Sequence, residues 1–160
     1  MKFTKILSIL ILAGMAFSFN SSESDIKYKC MIQMVNYTGE NAYVVTSLIK
    51  PDGSYQKTLF VAGKDDKWYH DIIKWWGHQK KAKDKLDGIT GASIAGGQRT
   101  VSVIKVPATI IDKGYKLRFE SAVEGQTYHS KDVEFELSTA NVNQRIDGTG
   151  YIRYVRIIPS

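Results

Sequence analysis

The chain has 160 residues, of which 43% are hydrophobic and 24% charged, with a formal net charge of +6. That length excludes several large domains, and that balance excludes disorder as the default state. A single cysteine, Cys30, excludes an intramolecular disulfide, so the fold must be held by packing alone.

The first stretch reads as a leader. Lys2 and Lys5 precede an apolar run from Ile6 to Met15, and Ala16-Phe17-Ser18 offers small residues for cleavage. The run is short for a membrane span, no stop-transfer segment follows, and no cysteine is placed for lipid attachment. Residues 1–18 are expected to be a signal peptide, and 19–160 one exported, periplasmic domain.

In the mature part, strands are expected at 25–35, 42–50, 55–62, 99–106, 115–122, 127–137 and 151–158, from alternation and β-branched content. Tyr28, Cys30, Ile32 and Met34 share one face of the first, which makes Cys30 a buried thiol. Pro51-Asp52-Gly53 is a tight turn closing a hairpin, and 123–126 closes another. Between residues 64 and 83 the period changes. Asp65 or Asp66 can cap a helix whose apolar stripe is Trp68, Ile72, Ile73 and Trp76, with Gly77 a weak point. About seven short, mostly hairpin-connected strands predict a mostly β fold, an antiparallel immunoglobulin-like β-sandwich, with one helix-plus-loop insertion over 64–98. A long connection of this kind is usually functional.

Familiar catalytic patterns are missing from the sequence. His70, His78 and His129 have no two-histidine helical spacing, so no metal site is expected. No G-x-S-x-G elbow or isolated carboxylate pair is present, and no catalytic residue is assigned. The lysines from Lys80 to Lys85 are interrupted by Asp84 and read as a solvated helix end; export argues against nucleic acid.

One stretch remains: Asp87-Gly88-Ile89-Thr90-Gly91-Ala92-Ser93. It resembles the flavinylation motif D-x-x-[ST]-G-A-[ST] of proteins modified by ApbE-type flavin transferases. The resemblance implies covalent FMN, attached through its phosphate to Ser93, with Asp87, Thr90, Gly91 and Ala92 completing the motif. Ser replaces the commoner Thr at the acceptor position. Trp75 or Trp76 would then be positioned to stack on the isoalloxazine, and Arg99 to screen the phosphodiester. The order of hairpin, Trp-rich helix, motif and terminal β region is also similar to a family of predicted periplasmic proteins of unknown function. That likeness implies a small β-sandwich associated with PepSY-type membrane proteins and a flavin transferase. The leading expectation is an exported flavoprotein electron carrier, itself the transferase's substrate and not an enzyme by its own side chains. The alternatives are a non-redox accessory module that docks a protein partner through 64–98, and a reductase acting through the flavin.

Overall fold

The pairing of nine strands in two sheets organises residues 24–160, the part of the chain described by the computed structural model. The expected signal peptide lies outside the described residues. β1 (Asp25–Met34) is a central strand because both its edges are taken. It pairs antiparallel with β5 (Arg99–Pro107) and with β9 (Ile152–Pro159), and β8 (Arg145–Asp147) extends the sheet beyond β9. The period-two reading of β1 holds: Tyr28, Cys30, Ile32 and Met34 are buried. Burial pushes the Cys30 thiol up to about 12, so it is an inert core group.

The second sheet runs β4-β3-β2-β6-β7, built on two hairpins. β2 (Tyr43–Ile49) pairs with β3 (Tyr55–Ala62), and β6 (Lys116–Ala122) with β7 (His129–Glu136). β2 and β6 join the hairpins into one antiparallel unit. β4 (Thr90–Gly91) adds to the edge of β3, and that pairing is parallel. The chain is therefore mostly β, with two sheets sharing one core. Ile32, Ile104 and Ile157 from the first sheet belong to the same apolar cluster as Val44, Leu117 and Phe135 from the second.

β2 is buried from Val44 to Ile49, polar Thr46 and Ser47 included, because its sheet is covered on both faces. On the outer face, Val45, Val61 and Ala122 pack against Tyr69, Ile72 and Trp75 of the insertion. The insertion itself departs from the sequence expectation. Instead of one helix, a 3-10 turn over Asp66–Asp71 is followed by α1 (Ile73–Ala82). The break falls at Ile72, with φ −93° and ψ 71°. A 3-10 turn advances more per residue than an α-helix, so the buried set becomes Tyr69, Ile72, Trp75 and Gln79. Ile73, placed in the expected stripe, is 64% exposed. Asp65 does cap the 3-10 turn, accepting from the Lys67 amide at 3.2 Å. β4 and β8 were not expected, since two or three residues carry no readable period.

Candidate functional site

The motif begins in a turn. The Ile89 amide donates to Leu86 O at 3.1 Å, and Gly88 takes φ +77°, which suits glycine. Asp87 is exposed on that turn. The chain then runs along β3: Val61 N donates to Ile89 O at 2.9 Å and Gly63 N to Gly91 O at 2.8 Å. A Cβ on Gly91 would lie 2.9 Å from Phe60 Cζ, so any other residue there would have to displace the Phe60 ring. Next comes Ala92, exposed, and then Ser93, half-buried.

Ile94 fixes the far side. It is 2% exposed and exchanges two backbone hydrogen bonds with Ala42, at 2.8 and 2.9 Å. The Tyr37 hydroxyl donates to Ile94 O and accepts from Ala42 N at 2.7 Å, which locks this crossing. Ser93 thus sits between two anchored points, two residues beyond one and one before the other. Its hydroxyl has no hydrogen-bond partner among the described residues.

Ser93 lines a cleft of about 260 Å³ with Glu40, Asn41, Tyr43, Trp68, Asp71, Ala122 and Glu124. The start of β2, the end of β6, the 3-10 turn and the motif converge here. Tyr43 is seated on Gly63, whose φ of +128° and missing Cβ leave room for the ring: a Cβ there would lie 2.1 Å from Tyr43 Cδ1. Trp68 carries the Lys67 ammonium 5.2 Å from its ring centroid. The Lys67 ammonium also contacts Asp65 at 2.9 Å, and Asp65 lifts its pKa. Asp71 contacts His70 Nε2 at 3.2 Å.

The other expected contacts lie elsewhere. Trp75 is fully buried and donates its indole N–H to Thr58 Oγ1 at 2.9 Å, so no face is left for a ligand. Trp76 is partly buried against the same cluster, with its ring 5.7 Å from Tyr69 and 6.0 Å from Trp75. Arg99 belongs to the other sheet, bonded to Gln33 Oε1 at 3.0 Å and the Tyr154 hydroxyl at 3.2 Å. Of the motif residues, only Ser93 lines the cleft; Thr90 and Gly91 form β4. The aromatic wall is Trp68 and Tyr43, and sequence reasoning missed it. Helical periodicity makes Trp68 core-facing, and Tyr43 falls within the 42–50 strand, so neither pattern signals a cleft.

The three histidines are dispersed. His70 lies beside Asp71, His78 stacks on Tyr55 with centroids 4.9 Å apart, and His129 meets Tyr151 edge-on at 4.9 Å. No described helix is long and apolar enough to cross a membrane.

The family described as "Predicted periplasmic protein (DUF2271)" matches residues 25–154. The chain belongs to the DUF2271 family. The match spans β1 to the start of β9, both sheets and the whole insertion with Ser93. The DUF2271 description puts the protein in the periplasm, in line with the expected leader. No match is found among curated proteins or among solved structures.

The cleft fits one part of a flavin better than another. Trp68 and Tyr43 offer rings for stacking, and Asn41 an amide. Glu40, Asp71 and Glu124 oppose a phosphodiester, and no cation lines the cleft. Lys67, with its ammonium over Trp68, is a cation beside the lining residues Trp68, Tyr43 and Glu124.

Proposed function

We propose that this protein is a periplasmic electron carrier with FMN esterified to Ser93 by an ApbE-type flavin transferase. The observation that supports it most is the setting of Ser93, on an anchored segment, with its hydroxyl unpartnered among the described residues and lining a cleft with Trp68 and Tyr43. In the transfer, a bond forms between Ser93 Oγ and the FMN phosphorus of FAD. The pyrophosphate linkage breaks, AMP leaves, and the serine proton is lost to solvent or base. Ala92, exposed and small, keeps the approach to Ser93 open.

FMN, when bound, supplies one- and two-electron chemistry. The protein's own contribution is to hold the ring against Trp68 and Tyr43 and to surround it with carboxylates. In this reading electrons pass between a PepSY-type membrane protein and a partner outside the cytosol. The same reading takes the two sheets as an immunoglobulin-like sandwich, a scaffold on which the insertion is mounted.

The test is co-expression with a flavin transferase and export of both, followed by denaturing electrophoresis and intact mass. The wild type should fluoresce and gain the mass of one FMN less one water. Ser93→Ala should gain neither, at unchanged stability. An unmodified wild type overturns the flavin reading, and a modified Ser93→Ala overturns the site. A modified protein that turns over a small acceptor by itself would be a reductase.

A further inference from the structure

Among the described residues, no element covers the outer face of the four-stranded sheet. Alternation exposes Lys27 and Lys29 on β1, Arg99 and Lys105 on β5, Arg145 on β8 and Arg156 on β9. Two carboxylates accompany them: Asp25 at the sheet's end, and Asp147, which pairs with Arg145 at 2.8 Å. The register adds an energetic oddity. Lys27 is directly opposite Lys105, and Arg145 directly opposite Arg156. Like charges directly across a sheet are destabilising, so this arrangement costs stability in isolation.

Apolar groups are interleaved with the cations. Val101 and Val103, 55% and 51% exposed, stand between Arg99 and Lys105 on the same strand. Met31 lies across from Val101, and Ile158 across from Lys29. At the β5 edge, Val103 and Lys105 border a recess of about 160 Å³ that Lys57 also lines.

We infer that this face docks on a bilayer of anionic phospholipid. Protein interfaces concentrate aromatic residues in a core depleted of charge, and lysine is disfavoured in them. This face carries one aromatic, Tyr154, already covered by Arg145 at 4.4 Å, and otherwise mixes lysine, arginine and valine without such a core. Its lysines and arginines match the phosphates of a headgroup layer, and Val101 and Val103 reach toward the acyl boundary. A periplasmic protein meets such a surface on either side of its compartment. Docking this way supplies the counter-charge that the Lys27–Lys105 pair lacks among the described residues, and the inference stands without the flavin.

The experiment uses the exported, unmodified chain and sedimentation with vesicles of phosphatidylglycerol and phosphatidylcholine, against phosphatidylcholine alone. The wild type should sediment with the anionic vesicles only and be released by salt. Lys105→Glu changes the face by two charge units and should weaken binding by about tenfold or more. It also places a carboxylate opposite Lys27, so its melting temperature should hold or rise. Lys74→Glu, the same change on exposed α1, should bind as the wild type does. Equal sedimentation with both vesicle types overturns the inference, and so does equal weakening by both variants. Capture on heparin without vesicle binding assigns the face to an acidic macromolecule and overturns the lipid assignment.

Discussion

Tyr128 donates its hydroxyl to the Glu120 carboxylate while accepting the Lys74 amide at 3.2 Å. Three parts of the chain meet there: β6, the approach to β7, and the first turn of α1. No side chain of the helix's own leader caps that turn, and a tyrosine from the sheet takes up one of its free amides. The Tyr55 hydroxyl donates to the other Glu120 oxygen at 2.6 Å. Glu120 is fully buried, and this network seats the insertion on the outer face of its sheet. The position of Trp68, and so the wall of the cleft, depends on that seating.

Removing the Tyr128 hydroxyl should therefore be costly. Tyr128→Phe keeps the ring but leaves a buried carboxylate oxygen without this donor and the Lys74 amide without this acceptor. The expected loss is about 1–3 kcal/mol, read from urea unfolding. A loss near zero would mean that water replaces the hydroxyl.

Glu120 also sets a pH dependence. Burial raises its pKa above the usual carboxylate value, only partly offset by the Tyr128 and Tyr55 hydroxyls and the Arg118 charge. The folded state then holds this proton more tightly than the unfolded state. This group's contribution to stability falls as pH rises from the ordinary carboxylate pKa to the raised one. Glu120→Gln should flatten that part of the profile. Urea midpoints from mildly acidic to neutral pH check it, and an unchanged slope would mean that other groups dominate.

The sequence was legible where one period ran through a whole element. Tyr28, Cys30, Ile32 and Met34 alternate over one strand, and the Pro51-Asp52-Gly53 turn marks its hairpin. The break at Ile72 was hidden because stripe counting assumes a constant rotation per residue, which a 3-10 turn violates. The cleft was hidden for a different reason. Tyr43 and Ala122 are cross-strand partners, and that pairing brings residues far apart in sequence beside Ser93. The motif pointed to the hydroxyl, and only the tertiary pairing supplied its surroundings.

Two glycines give opposite expectations. A Cβ at Gly77, inside α1, would meet nothing within 4 Å, and its φ is helical. Gly77→Ala should raise stability by about 0.5–1 kcal/mol. Gly63→Ala should lower it, because the added carbon strikes the Tyr43 ring at a positive φ. Paired thermal melts separate the two; a destabilised Gly77→Ala would show that α1 needs flexibility at that point.

The two tryptophans divide structure from cofactor contact. Trp75 is fully buried, and Trp75→Ala should cost roughly 3–5 kcal/mol, whether or not Ser93 is modified. Trp68 lines the cleft and is only partly buried, so Trp68→Ala should leave the fold intact. In the flavinylated protein, stacking on an indole quenches isoalloxazine emission, and removing that indole should raise it. Emission is read on native and denatured samples of both proteins. Denaturation should brighten the wild type and change the Trp68→Ala protein less. If both brighten equally, the ring lies outside this cleft even with its phosphate on Ser93, and Trp68 is a surface residue held by Lys67.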